Sequence, residues 1–104
     1  MLAAQELYFA IGNKLPEVIS GKLFGKPCFK INGKPFVCFF ENEMVFKITG
    51  ETHQQTLSLA NAKLFDPSGK GRPMKEWVQV PYQHQQQWEN LAKAALNYAL
   101  SSHE

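Results

Sequence analysis

Asn32-Gly33-Lys34 constrains this chain more than any other three residues. Asn-Gly suits a type I′ turn and Gly-Lys a type II′ turn, the tight connections whose twist matches right-twisted strands. Before the turn, Leu23, Phe29 and Ile31 occupy one parity and Lys22, Lys26 and Lys30 the other, the alternation of a half-buried strand whose ladder Pro27 limits. Beyond the turn, either two-residue connection places Phe36, Cys38 and Phe40 on the face of Phe29 and Ile31. A three-residue loop inverts this, setting Cys28 opposite Cys38 and Phe29 beside Val37. The two-residue turn is preferred because it gathers the aromatic rings. After Glu41-Asn42-Glu43, Met44, Phe46 and Ile48 alternate with Val45 and Lys47, which completes a three-stranded meander. Its second face carries Cys28, Lys30, Val37, Phe39, Val45 and Lys47, too apolar a set for a solvated surface, so a covering helix or a second subunit is expected.

Helical periodicity frames the meander. Ala4, Leu7, Tyr8, Ile11 and Leu15 recur at spacings of three and four, and Pro16 ends that helix. Gly50 breaks the third strand, and 51–60 reads as a short polar helix with Leu57 and Ala60 turned inward. Asp66-Pro67-Ser68-Gly69-Lys70-Gly71-Arg72-Pro73 concentrates turn-forming residues and is a loop. Met74 to Val80 forms a strand centred on Trp77. Trp88, Leu91, Ala92, Ala95, Leu96 and Ala99 then mark an amphipathic helix from about His84 to Leu100. Consecutive hairpin strands cannot be parallel, so the expected class is α+β: an antiparallel sheet of about four to five strands with N-terminal, middle and C-terminal helices.

At 104 residues the chain makes one domain, 1–104, long enough to bury a core without disulfides or a structural metal. Eleven Lys and Arg against nine Asp and Glu, a net charge of +2, fall short of the basic balance of a dedicated nucleic-acid binder. The longest apolar run, 35–40, is far below the ~18–20 residues that cross a bilayer, so no membrane association is expected. The first residues lack the positive head of a signal peptide, which sets the expectation of a cytoplasmic protein. Cys28 and Cys38 are too few and too far apart in sequence for a metal-ligand pair; they read as small buried hydrophobes that a reducing compartment keeps as thiols.

The residue types that carry catalysis show no productive spacing. His53, His84 and His103 form no His-x-x-x-His pair, and the acids are scattered apart from Glu41 and Glu43 in a turn. No catalytic residue, metal site or cofactor is expected. The 68–73 loop is the best anion-binding candidate, because its glycines free backbone amides while Lys70 and Arg72 supply charge. It is not a phosphate-binding Walker loop, since Leu64 stands where that motif requires glycine and Gly71 where it requires Ser or Thr. A second set combines charge with a ring: Lys26, Lys30 and Lys47 project from the sheet face of Phe39, as in sheets that stack unpaired bases while lysines track phosphates. A dimer interface or a packed helix is the alternative use of that face. Trp77 and Trp88 fall at strand and helix core positions.

Two stretches are more specific. Lys22-Leu23-Phe24-Gly25-Lys26-Pro27 running to Lys30-Ile31-Asn32-Gly33-Lys34, and Leu64-Phe65-Asp66-Pro67 running to Met74-Lys75-Glu76-Trp77-Val78-Gln79-Val80-Pro81, resemble the N-terminal domain of the bacterial TfoX/Sxy competence regulators and their single-domain relatives. The resemblance covers nearly the whole chain. It implies an antiparallel sheet with flanking helices, similar to the secretion-chaperone-like and YjbR-like arrangement. The full-length regulators carry a further C-terminal domain without counterpart in these residues, so a role in competence or transcription is not carried over, and no catalytic residues come with the family. Within the shared motifs Gly25 and Gly33 fit unusual backbone angles, and Phe24 and Trp77 fit core anchors. Lys26, Lys70 and Arg72 are members that architecture does not require. The expectation is a nonenzymatic regulatory or protein-interaction domain, with a protein partner or self-association. The competing expectation is a nucleic-acid-binding module using Lys26, Lys30, Lys47, Lys70 and Arg72.

Overall fold

In the computed structural model, which describes residues 3–101, three helices and a six-stranded antiparallel sheet follow the chain order α1 (Ala3–Lys14), β1 (Ile19–Leu23), β2 (Lys26–Ile31), β3 (Lys34–Phe40), β4 (Glu43–Lys47), α2 (Gly50–Leu57), β5 (Lys63–Phe65), β6 (Met74–Val80) and α3 (Gln85–Ser101). A 3₁₀ turn, Tyr82–His84, leads into α3. The sheet order is β1-β2-β3-β4-β6-β5. The sheet has one strand more than the upper end of the expected four to five. The alternation through Leu23 and Phe29 belongs to two strands folded about Phe24-Gly25, and β5 is too short for its periodicity to register.

Three tight turns build the meander. Leu23 pairs with Lys26, Ile31 with Lys34 and Phe40 with Glu43, leaving Phe24-Gly25, Asn32-Gly33 and Glu41-Asn42 as two-residue connections. All six turn residues have positive φ, from 52° at Asn32 to 78° at Gly33, the type I′ geometry. Asn and Gly adopt it readily. Phe24, at φ 53°, adopts it against the roughly 1–2 kcal/mol that the left-handed region costs a residue with a Cβ.

The Asn32-Gly33 turn has the expected length, yet the register beyond it is the one expected of a longer loop. A bulge shifts the β2–β3 pairing between Phe29 and Lys30, so that Phe29 faces Val37 and Cys28 faces Cys38. An extra residue on one strand turns both bulge side chains toward similar directions. Phe36 and Val37 accordingly both enter the core beneath the helices. Past the bulge the parity is reversed: Phe39 joins that core, while Cys38 and Phe40 turn to the other face. The two cysteines, distant in sequence, are thus direct cross-strand neighbours.

On the first face, α1 and α3 cover the sheet, with α3 lying across β3 and β4. Tyr8, Ile11, Phe29, Phe36, Phe46, Val78 and Trp88 fill the space between them. The middle helix contributes Thr56 and Leu57 rather than Ala60, which is exposed. Gly12 lets α1 approach closely, since a Cβ there would overlap the ring of Phe29. No helix residue joins the second cluster, and still Cys28, Cys38, Val45 and Phe65 are at most 1% exposed and Trp77 is 6% exposed. The sheet covers this face itself. Its two edges curl toward one another until the Phe24-Gly25 turn shares a cleft with Pro67, Ser68, Arg72 and Met74 from the opposite edge. Bulged registers at β2–β3 and β5–β6 supply the bend. The apolar residues of this face therefore need neither a further helix nor a second subunit to bury them.

Candidate functional site

The cleft at the seam of the curled sheet is an apolar opening that the core does not use; a second opening of similar volume adjoins it across Pro67 and Ser68, lined by Phe40, Lys63, Asp66 and Gln79. The cleft holds about 370 Å³ and is walled by Phe24, Pro67, Ser68, Met74 and Arg72. Phe24 was expected to anchor the core and is instead 60% exposed. A large ring at a turn tip, in backbone that disfavours it, is costly for folding and available for contact. Behind the cleft, Met74 packs on the second cluster with Phe65 and Trp77. Phe65 stacks edge-on against Phe40 at 5.3 Å, and the ammonium of Lys26 stands 5.2 Å over the other ring of that pair, Phe40.

The loop that supplies the opposite wall is ordered by one carboxylate. Asp66 accepts hydrogen bonds from the Ser68 hydroxyl at 2.8 Å and from the backbone amides of Gly69, Gly71 and Arg72 at 3.1, 2.9 and 3.2 Å. Lys70 N–H donates to the Ser68 hydroxyl at 3.1 Å. The Ser68 bond, joined by those from Gly71, Gly69 and Arg72, holds the Asp66 carboxyl below the usual carboxylate range. The glycine-freed amides that suggest a phosphate cradle are thus already closed around an anion of the chain's own. What the loop offers a partner is the Arg72 side chain at the cleft and the exposed Lys70 beside it.

The five basic residues singled out by the sequence divide between two ends of the sheet. Lys26 lies beside the Phe24-Gly25 turn, at the cleft end with Arg72. Lys30 lies toward the Asn32-Gly33 end, about 13 Å from Lys26 along β2 at the usual rise per residue, and Lys47 lies toward the same end two strands away on β4. All three lysines do project from the helix-free face, but Phe39 does not share it; the bulge sends that ring under the helices. Of the rings that do share the face, Phe65 and Trp77 are buried within the curl and Phe40 is half-buried beneath Lys26.

Elsewhere both described histidines and Tyr98 are engaged in structure, whereas the buried Tyr8 hydroxyl and Trp88 Nε1 have no hydrogen-bond partner among the described residues. His53 Nε2 meets the Lys75 carbonyl at 2.7 Å and His84 Nε2 the Ala60 carbonyl at 2.8 Å, pinning α2 and the 3₁₀ turn to their neighbours. Tyr98 donates to Glu76 at 2.8 Å. His103 lies outside the described residues. Burial pushes the Cys38 thiol up to about 12 and the Tyr8 phenol higher than its ordinary value. Among the described residues no group of three His, Cys, Asp or Glu side chains converges as a metal site, and no helix is long and apolar enough to cross a membrane. No family model, curated protein or solved structure matches the chain.

Phe24 reads from its motif as a core anchor because a large aromatic ring is ordinarily buried, and the structure leaves it 60% exposed at the turn. The signal that locates it is the spacing Leu23-Phe24-Gly25-Lys26: a residue followed by Gly between two short alternating runs is a hairpin tip, which solvent reaches.

Proposed function

We propose that this chain is a nonenzymatic protein-interaction domain that receives, in the cleft between the Phe24-Gly25 turn and the 66–73 loop, an apolar side chain flanked by a carboxylate. The observation that carries this reading is the exposed Phe24 ring facing Arg72 across an apolar cleft. The cleft's volume suits one or two side chains. A guanidinium at its rim pairs with a carboxylate in a fixed, two-pronged geometry, which selects an acidic partner. Lys26 and Lys70 add positive field around the same opening and speed encounter with such a segment.

Kinship with the TfoX N-terminal domain belongs to this proposal, carried by its motifs: Phe24 and Pro67, from the two stretches that resemble that family's pattern, both line the cleft. The nucleic-acid reading is less well supported. Stacking of successive bases needs a series of open rings, and on the lysine-bearing face Phe65 and Trp77 are buried and Phe40 is half-buried, which leaves Phe24 at the turn as a single exposed ring.

An amide-resolved NMR titration separates the two. A short peptide of alternating Leu and Asp is added at low and moderate salt, and a single-stranded RNA is added in parallel. The interaction reading predicts peptide-dependent shifts at Phe24, Gly25 and residues 67–74. Shifts produced only by RNA, spread over Lys30 and Lys47 and erased by salt, would replace it with the nucleic-acid reading.

A further inference from the structure

We propose that Cys28 and Cys38 form a redox-convertible dithiol, which a low-molecular-weight disulfide oxidises to an intramolecular disulfide bridging β2 and β3. The bulge makes the two residues direct cross-strand partners, and both belong to the cluster on the helix-free face, so their side chains leave the sheet on the same side. Directly opposed residues of antiparallel strands have Cα atoms roughly 4.5–5.5 Å apart, whichever hydrogen-bonding class the pair belongs to. That spacing falls inside the roughly 4.4–6.8 Å window of disulfides. Both thiols are free.

The two cysteines are not equivalent. Cys38 is enclosed between strands on both sides, paired with Cys28 on β2 and Val45 on β4. Cys28 is paired on its outer side with Gly21 of the edge strand β1. Glycine leaves no side chain to wall that flank. The aliphatic stem of Lys30 fills the gap instead, its Cε 3.3 Å from where a Gly21 Cβ would stand. A flexible lysine stem is easily displaced. The Lys30 ammonium also favours the Cys28 thiolate, in opposition to the burial that raises this thiol. Cys28 is therefore the attacking sulfur and Cys38 the resolving one.

The exchange balances with one equivalent of the small disulfide. Cys28 releases its proton to solvent, and its thiolate attacks one sulfur of the reagent. A protein mixed disulfide forms and the first small thiolate leaves, to be protonated. Cys38 then loses its proton and attacks the Cys28 sulfur, expelling the second small thiolate. The protein loses two protons and two electrons, and the reagent becomes two thiols. This site is independent of the interaction reading.

The test uses the folded domain and hydroxyethyl disulfide at mildly alkaline pH. The expected result is a monomer lighter by about 2 Da, with neither cysteine open to alkylation after unfolding, and with quenched fluorescence from Trp77 in the same cluster. Cys38→Ala should stop at the mixed disulfide on Cys28, whereas Cys28→Ala should react more slowly. Two free thiols after treatment of the folded wild-type chain, a persistent mixed disulfide in the wild type, or disulfide-linked dimers would each overturn the proposal. The wild-type measurement decides the matter even where a variant fails to fold.

Discussion

Gly12→Ala tests the packing on which the whole sheet-and-helix arrangement depends. Alanine is the better helix former by about 1 kcal/mol, so a solvent-facing Gly12 would gain stability from the change. Gly12 is instead buried on α1, where the added Cβ would run into three carbons of the Phe29 ring. That ring is 1% exposed and is fenced by Tyr8 and Phe9 at centroid distances of 5.0 and 6.1 Å, so it has nowhere to turn. Overpacking of this kind costs roughly 1–3 kcal/mol. The fenced ring places the cost at the upper end, and the net after the helix gain is a loss of about 2 kcal/mol. Thermal unfolding of a domain this size should then shift down by on the order of 10 °C. A second substitution supplies the control. Phe29→Leu shortens the obstructing side chain, so Gly12→Ala added to Phe29→Leu should cost at least about 1 kcal/mol less than in the wild type, a coupling measurable by denaturant titration of the four proteins. Unchanged or raised stability for Gly12→Ala, or strictly additive losses, would refute the reasoning.

Other perturbations reach the cleft and its loop. Phe24→Asn exchanges a partly exposed ring for a residue at home in left-handed backbone. The burial forfeited is at most about 2 kcal/mol and the strain relieved about 1 kcal/mol, so urea unfolding should move little while peptide binding is lost. Asp66→Ala removes the acceptor of three loop amides, and hydrogen exchange at Gly69, Gly71 and Arg72 should speed up while the β-strand amides keep their protection. The same carboxylate sets a pH dependence. Because its folded value lies below its ordinary one, loop order is fully supported above the ordinary carboxylate value of about 3.9 and is lost as pH falls through the lowered one. The amide shifts of Gly69 and Gly71 should report that midpoint, and a midpoint above about 3.9 would contradict the hydrogen-bond account.

The α+β class, the Asn32-Gly33 hairpin, the strand over 74–80 and the long C-terminal helix were legible because each rests on local chemistry: turn residues with defined backbone preferences, or periodicity sustained over many residues. The face assignment of Val37, Cys38, Phe39 and Phe40 was not. A bulge is a tertiary choice, made here because it delivers Phe36 and Val37 together to the helix-covered core, and nothing in the local pattern fixes where the extra residue falls. The candidate site was half legible for a similar reason. Lys26 and Arg72 stand out by composition, but only the curl of the sheet brings the β1–β2 turn to the 66–73 loop. The loop's glycines suggest amides open to an external anion, and Asp66, a residue that reads as an ordinary turn former, closes them.

The most direct test of the interaction account is a binding cycle at the cleft: wild type, Phe24→Asn and Arg72→Ala, each titrated calorimetrically with an alternating Leu-Asp peptide and with its Leu-Asn counterpart. The account predicts that the wild type binds the acidic peptide, that Phe24→Asn abolishes binding, and that Arg72→Ala weakens the acidic peptide to the level of its neutral counterpart. Equal affinity of all three proteins for the acidic peptide, or an Arg72→Ala effect that is the same for both peptides, would contradict it.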